Sequence, residues 1–427
     1  MNEYDSNRIY DTVKKIGYEK TETYEDANCY LLNTCHIRDK AKEKVYHEIG
    51  RVKKKFRLKS KPLVIVAGCV AQAEHQEMLK REPYIDLVLG PQAYHKINDT
   101  ILNYQKKKDK EEETEFDAIA KFEYLSKIKN KTNKVSSFLT IQEGCDKFCS
   151  FCVVPFTRGA EFSRKVEDII NEARSLSERG SKEIILLGQN VNAFHGIYNG
   201  GIQYNLSKLI RELEKIKGLE RITYTTSHPR DMEQDLIDLH GESQKLNPYL
   251  HLPVQSGSDF ILNKMNRKYS SKDYIKIIEK LRAKLPKIAL SSDFIVGFPG
   301  ETKNDFKETL NLVKEVKFAQ SYSFKYSRRV GTKADRIDCK VPEEEKNERL
   351  QELQSILMQQ KKSYNLQFVG KEVEVFLKGK GKKINQYRGV TKWMQTTNFQ
   401  CDESQIKNKL NIKVTKAFDN SLVGDLV

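Results

Sequence analysis

The sequence predicts an α/β protein in three parts: an N-terminal open parallel sheet, a central partial (β/α)6 barrel and a small C-terminal β-barrel. Three observations lead there. Short apolar runs alternate with polar helical stretches early in the chain; six such alternations follow without a return pattern; short alternating strands take over near the end. At 427 residues the chain is long enough for two or three domains with packed cores.

In the first part, residues 1–110, strands are expected at 29–33 (CYLLN), 63–67 (LVIVA) and 86–89. The first two end close to Cys35 and Cys69, and the carboxyl ends of strands are where an open parallel sheet gathers ligands. The run KKKDKEEETE at 106–115 has no apolar residue and no strand signal, and reads as an exposed linker or helix at a domain boundary. The second part, residues 131–360, places strands at 137–142, 183–188, 221–226, 249–254, 288–294 and 320–326, separated by helical patterns such as VEDIINEARSLSERG. The third, residues 363–427, carries VEVFLKG, YRGVTKWMQT and NIKVTKAF between Gly, Asn and Asp turns.

Lys and Arg total 75 against 59 Asp and Glu, a net charge of +16 that suits a polyanionic partner, nucleic acid first. The alternative is a lysine-rich solubilising surface. The segment 364–427 alone has 11 Lys and Arg against 6 Asp and Glu. No run of about 18 apolar residues exists, so a membrane helix is not expected. The opening MNEYDSNRIY has no basic stretch followed by an apolar one, and a reducing, cytoplasmic setting is expected. Eight cysteines are too few for a disulfide scaffold in a chain of this size, and three of them crowd together.

Those three are Cys145, Cys149 and Cys152 of EGCDKFCSFCVVPFTRG, at C-x3-C-x2-C spacing directly after an expected strand. Three thiolates on a four-iron cluster leave one iron open, able to bind the amino and carboxylate groups of S-adenosylmethionine (SAM). A structural zinc site would show four Cys or His ligands in paired C-x2-C units, and no second pair lies near. Cys339 and Cys401, far from this stretch, read as ordinary thiols.

The chain resembles the radical SAM methylthiotransferases over nearly its whole length. The resemblance rests on NTCHIRDKA around Cys35, AGCVAQ around Cys69, the cysteine loop through TRG, LLGQNVNAF, TTSHP, HLPVQSGSD and DFIVGFPGET. The HIRDKA continuation favours the branch that acts on N6-dimethylallyladenosine of tRNA over those acting on threonylcarbamoyl-adenosine or a ribosomal protein. A tRNA-binding paralogue with impaired chemistry is the rival of another class. The resemblance implies two [4Fe-4S] clusters and SAM. One cluster is held by Cys145, Cys149 and Cys152; the other, auxiliary, by three cysteines, two of which match Cys35 and Cys69. One SAM would donate the methyl group and a second the radical that removes hydrogen from C2 of the adenine. That hydrogen is not acidic, so side-chain acid–base catalysis has little to act on, and no catalytic side chain is assigned. The expected partners are a tRNA anticodon stem–loop and a reducing electron donor, with a monomeric enzyme and no membrane.

On this reading Phe151 packs near the SAM adenine, with core packing as its alternative. Gln189, Asn190, Ser227, His228, Gln255, Ser256, Asp293 and Glu301 line the barrel mouth, or else cap helices and brace loops. Thr157, Arg158, Arg164 and Arg328 are candidates for SAM carboxylate or RNA phosphate contacts, or else surface ion pairs. The terminal segment is similar to the family's TRAM domain, an RNA-binding barrel. There Lys378, Lys380, Lys382, Lys383, Arg388 and Lys392, interleaved with Tyr387 and Trp393, suit phosphate contact and base stacking.

In the family the first auxiliary ligand sits in a GCQMNEYDS-like stretch, which leads to the expectation of an earlier start supplying a strand and that cysteine. Without them the sheet has an unpaired edge, and the chain expressed from Met1 is expected to cleave SAM but to transfer no methylthio group. Cys29 cannot substitute, because six residues of strand, about 20 Å, separate it from Cys35. Replacing Cys145, Cys149 or Cys152 by Ala is expected to abolish reductive SAM cleavage, read as 5′-deoxyadenosine formed; normal production by any of the three variants contradicts the assignment.

Overall fold

The computed structural model describes residues 1–35, 39–130 and 132–427; residues 36–38 of NTCHIRDKA lie outside the described residues. The chain forms two compact units. The first comprises Met1–Thr132 with Gln142–Asp146 and Cys152–Arg164; the second comprises Asn133–Ile141, Lys147–Phe151 and Lys165–Val427. No described helix is long and apolar enough to cross a membrane.

In the first unit the chain runs α1 (Asn2–Val13), β1 (Cys29–Thr34), α2 (Asp39–Lys55), β2 (Leu63–Gly68), α3 (Cys69–Arg81), β3 (Leu87–Leu89), α4 (Ile97–Lys107), β4 (Glu111–Glu113) and α5 (Ala118–Ser126). The four strands pair in parallel in the order β1-β2-β3-β4. Strand β2 is apolar without interruption because both of its faces are covered. Val64 and Val66 meet Val45, Ile49, Val70 and Met78 on one side. Ile65 and Ala67 meet Ile9, Tyr94, Ile97 and Ile101 on the other. Strand β1 has β2 as its one strand neighbour among the described residues, and Cys29 packs half-buried in the core at its start, where burial pushes its thiol up to about 12.

The charged run at 106–115 is not a linker. Its glutamates form β4, which pairs with β3 through Leu87 and Glu111 to Leu89 and Glu113. An edge strand needs one ladder partner and can keep its side chains wet; Glu113 and Glu115 both pair with Lys96, at 2.8 and 2.9 Å.

The second unit begins at β5 (Ser136–Thr140). The segment that follows, with β6 (Gln142–Glu143), α6 (Val154–Arg158) and β7 (Phe162–Ser163), belongs largely to the first unit. The second unit continues with α7 (Val166–Glu178), β8 (Glu183–Leu187), a β9–β10 hairpin (Gly196–Tyr198, Ile202–Tyr204), α8 (Leu206–Glu214), β11 (Arg221–Tyr224), α9 (Gln234–Glu242), β12 (Tyr249–His251), α10 (Asp259–Lys264), α11 (Ser271–Lys284), β13 (Ala289–Val296), α12 (Lys303–Val316) and β14 (Gln320–Lys325). All six expected strands are present. They form parallel triplets, β5-β8-β11 and β12-β13-β14. The triplets are stitched by Ile222, which donates to Lys245 O (2.7 Å) and accepts from Asn247 N–H (2.8 Å). The result is an open (β/α)6 barrel around Leu139, Ile184, Leu186, Ile222, Leu250, Leu290 and Phe294.

The long α13 (Glu343–Leu366) leads to a closed five-stranded barrel of β15 (Glu372–Lys380), β16 (Gln386–Thr391), β17 (Thr396–Gln400), β18 (Lys409–Ala417) and β19 (Leu422–Leu426), ordered β15-β16-β17-β19-β18. Closure removes the exposed edges. Arg221, buried on β11, fastens this barrel to the core sheet. It donates to Val390 O (3.2 Å), Glu374 O (3.1 Å) and Glu374 Oε1 (2.8 Å) and lies 3.9 Å from the centre of the Phe376 ring. Lys409 reaches Glu220 and Glu374 beside it.

Candidate functional site

In the first unit, parallel pairing puts Thr34 opposite Gly68, so Cys35 and Cys69 follow directly from a register pair and emerge at the same carboxyl edge of adjacent strands. Gly68 has φ +94°, and a Cβ there would lie 2.3 Å from Thr34 O; only glycine allows this approach. Thr34 Oγ1 ties the two strand ends by donating to Ala67 O (2.7 Å) and accepting from Val70 N–H (3.3 Å).

Arg158 is built into this edge. Its Nε donates to Cys69 Sγ (3.3 Å), and its two terminal nitrogens to Glu143 Oε1 and Asp5 Oδ2 (2.9 Å each). Lys121, fully buried, completes the knot at 2.5 Å from Glu143 and 3.9 Å from Asp5. Two cations against two carboxylates make the burial tolerable, whereas removing one member leaves a bare buried charge. Arg158 is therefore an internal brace and not a surface contact for a SAM carboxylate or phosphate. Arg164 is buried too, its guanidinium 5.0 Å from the centre of the Phe122 ring, and Thr157 donates back to Val153 O in its own helix. In the same unit the backbone N–H of Cys145 donates to Gly159 O (3.3 Å), and Val154 N–H reaches the Cys152 sulfur (3.5 Å).

In the second unit the loop through Cys149 is gripped by the turn after α10. Ser150 donates from N–H to Met265 O (3.0 Å) and from Oγ to Lys264 O (2.8 Å), and Asn266 Nδ2 donates to Phe148 O (2.9 Å). Arg267 Nη1 donates to Cys149 Sγ (3.3 Å). Phe148, Asn266 and Lys268 all take left-handed φ, between +48° and +60°, a strain that persists where the surroundings over-determine it. Phe151 packs half-buried against Ile261, Met265, Phe298 and Ala334.

The strand ends supply the rest. Thr226 after β11 and Gln255 after β12 also have positive φ, +70° and +75°, unusual for non-glycine and most of all for a β-branched residue. Ser227 Oγ and His228 Nε2 are buried and have no hydrogen-bond partner among the described residues. His228 Nδ1 accepts from Arg230 N–H (3.2 Å), which leaves Nε2 as the donor of the neutral ring. Burial first, then the cations Arg267, Lys147 and Arg230, push His228 down to about 2. Asn190 Nδ2 and Lys147 Nζ both donate to Asp231, at 2.8 and 2.6 Å. Asp293 faces His251 Nε2 at 3.5 Å, and Gln189 is half-buried after β8.

Other expected mouth residues turn out to be braces. Glu301 accepts from Arg349 (2.6 Å) and Gly297 N–H (2.6 Å), deep under α13. Ser256 is buried against Thr309 and caps Ser258 N–H. Arg328 pairs with Asp335. On the small barrel, Tyr387 lies in the core beside Phe399 and is not available to stack on a base. Trp393 packs on Phe368 with ring centres 5.2 Å apart, and Lys392 covers its ring at 4.7 Å. Lys378 leans towards Glu183 (3.6 Å). Lys380, Lys382, Lys383 and Arg388 stand exposed on the β15–β16 hairpin.

The donor chemistry fits iron–sulfur ligation, although among the described residues no three Cys, His, Asp or Glu side chains are grouped to hold a metal ion. The candidate donors are thiols, a buried cation is aimed at Cys149 and another at Cys69, and unpartnered polar atoms stand buried at the strand ends. Sequence reasoning missed Arg267 and Asp231, which stand in no motif it used.

Because His228 ordinarily titrates near 6.5 and is held near 2 in the fold, only the unfolded chain gains a proton between those values. Its contribution to stability is complete above pH 6.5 and is lost as pH falls towards 2. Between about pH 7 and about pH 5 the loss from this one group is expected to be about 2 kcal/mol, measured by urea unfolding, and His228→Gln is expected to flatten that part of the profile.

Residues 139–313 match the model of the radical SAM superfamily, and residues 1–90 that of the uncharacterized protein family UPF0004. Among solved structures, a radical SAM methyltransferase from Kitasatospora setae, with cobalamin and a [4Fe-4S] cluster bound, aligns with TM-score 0.57 at 12% identity, covering 78% of this chain and 71% of that one. That likeness shows the fold. The tRNA-2-methylthio-N(6)-dimethylallyladenosine synthase of Pelagibacter ubique (strain HTCC1062) is 58% identical over 426 residues, 100% of this chain and 95% of its own length. The synthase of the same name from Ehrlichia chaffeensis (strain ATCC CRL-10679 / Arkansas) is 48% identical over 431 residues, 100% of this chain and 97% of its own. With its cysteine loop, its (β/α)6 barrel and this likeness from end to end, the chain belongs to the family of tRNA-2-methylthio-N(6)-dimethylallyladenosine synthases, within the radical SAM enzymes.

Proposed function

We propose that this protein methylthiolates C2 of N6-dimethylallyladenosine at position 37 in the anticodon loop of tRNA, using one SAM as methyl donor and a second as radical source. The 58% identity over the whole chain carries this reading, and the complete C-x3-C-x2-C loop supports it. Residues 131–360 serve as the radical SAM core, 1–110 as the methylthiotransferase part and 363–427 as the RNA-binding barrel.

Cys145, Cys149 and Cys152 hold one [4Fe-4S] cluster, and Cys35 and Cys69 supply ligands to an auxiliary one. When bound, such clusters supply an electron to split SAM and a site for the sulfur to be transferred. The chain's own residues bind, orient and shelter. Gln189, Asn190, Ser227, Gln255 and Asp293 contact SAM at the strand ends, where Ser227 Oγ is a buried group awaiting a partner. Asp231 positions Asn190. Phe151 gives the SAM adenine an apolar wall from its place on the Ile261–Met265 cluster. A loop adenosine presents an unpaired base that can be splayed out of its stack. Lys378, Lys380, Lys382, Lys383, Arg388 and Lys392 meet its phosphates, with the half-buried Trp393 next to Lys392. A reducing electron donor and a monomeric enzyme in the cytoplasm complete the reading.

The direct test is nucleoside analysis of tRNA from a deletion strain complemented with the gene together with its own upstream sequence. The methylthiolated dimethylallyl-adenosine is expected to return; its absence, with modified threonylcarbamoyl-adenosine or ribosomal protein instead, gives the activity to a sister branch. Neutralising Lys380, Lys382 and Lys383 together is expected to weaken tRNA binding and reduce the slope of log affinity against log salt by about 2 to 3, while SAM cleavage without RNA stays unchanged. An unaltered slope places the RNA footprint elsewhere.

A further inference from the structure

Arg267 is buried, 5% exposed, and is held by neutral groups on the barrel mouth. Nη2 donates to Pro253 O (2.7 Å), and Nε donates to Tyr269 Oη (2.8 Å). The Tyr269 hydroxyl in turn donates to Val254 O (2.8 Å), and its ring lies 5.2 Å from the guanidinium carbon. Two of the three guanidinium nitrogens are thus anchored to the residues just beyond β12. The third points at Cys149 Sγ (3.3 Å). Among the described residues Arg267 makes no ion pair with a carboxylate. This sets it apart from Arg158, whose charge is met by Asp5 and Glu143. A buried guanidinium needs a counter-charge, and among the described residues the group facing it that becomes anionic as a metal ligand is the sulfur of Cys149.

The backbone on either side is committed to the same contact. The turn that carries Arg267 holds Phe148 O and both donors of Ser150, the two neighbours of Cys149. Hydrogen bonds to cluster sulfurs and nearby net charge are among the factors that set the potential of an iron–sulfur centre.

We propose that Arg267 is a positioning residue of the radical centre: anchored on Pro253 and Tyr269, it holds the sulfur of Cys149 for ligation and raises the cluster's reduction potential by keeping a buried positive charge against it. The proposal rests on Cys145, Cys149 and Cys152 being the cluster ligands. Added negative charge on reduction is offset by the guanidinium, and a neutral residue at position 267 removes that offset.

The test is an EPR-monitored redox titration of the full-length chain, reconstituted with iron and sulfide, following the signal that added SAM perturbs. Arg267→Gln is expected to keep the parent's iron content. At the potential where the parent is half reduced, its ratio of reduced to oxidised cluster is expected to fall about tenfold, equivalent to about 59 mV for one electron. Arg267→Lys keeps the charge and is expected to stay within about threefold of the parent. An unchanged midpoint in iron-replete Arg267→Gln overturns the proposal, as does a Lys variant whose midpoint falls as far as that of Gln. If Arg267→Gln takes up no iron, the Lys variant decides: iron at the parent midpoint upholds the role, and equal loss of iron overturns it. Iron uptake by the parent that Cys149→Ala leaves unchanged sinks the ligand assignment itself, a result distinct from any of these.

Discussion

Parallel pairing is the constraint from which both sites follow. In a parallel ladder every strand runs the same way, so each delivers the residue after its last hydrogen bond to one common edge. In the first unit that edge receives Cys35 from β1 and Cys69 from β2, one step past the pairing of Thr34 with Gly68. In the second it receives Asn190, Thr226 to His228, and Gln255, from three strands of the (β/α)6 barrel. The helices that return the chain between strands bury the apolar faces, and the cost of irregular backbone is concentrated at the edge, where Thr226 and Gln255 hold positive φ.

At both edges a buried arginine is directed at a cysteine sulfur, and the two cases differ in how the charge is met. Arg158 sits in a neutral knot with Asp5, Glu143 and Lys121. This knot joins residues 153 positions apart in the chain, so its geometry is secured whatever binds at the sulfur. Arg267 has neutral acceptors on one side and a sulfur on the other. Desolvated charges of this kind are poor stabilisers compared with apolar packing. Their presence at the two cysteine edges orients the sulfurs and sets the charge beside them.

The small barrel shows the same separation of roles. Its inward residues, Tyr387, Phe399, Ile412 and Val414, make a closed core, so the aromatic that sequence spacing offered to RNA is spent on packing. The cations remain outside because an ammonium group is costly to bury without a partner. Arg221 is the exception, buried where the barrel meets the core sheet and paired with Glu374.

The sequence alone determined whatever depends on neighbours along the chain. The six core strands were legible because runs such as EIILL at Glu183–Leu187 are apolar enough to be buried on both faces. The cysteine loop was legible because its chemistry lies in covalent spacing. That Cys35 and Cys69 lie at one edge of the sheet was legible because each follows a short apolar strand. Tertiary structure decided what depends on residues far apart. Three glutamates became strand β4 because Leu87–Leu89 offered a free ladder, an edge that no local propensity announces. Arg158 and Glu301, polar and close to motifs, went to internal pairs because buried partners lay within reach. Arg267 reached Cys149 across 118 positions. A lone arginine in NRKY carries no local signal of that contact, because the contact exists only when the turn after α10 is folded against the loop.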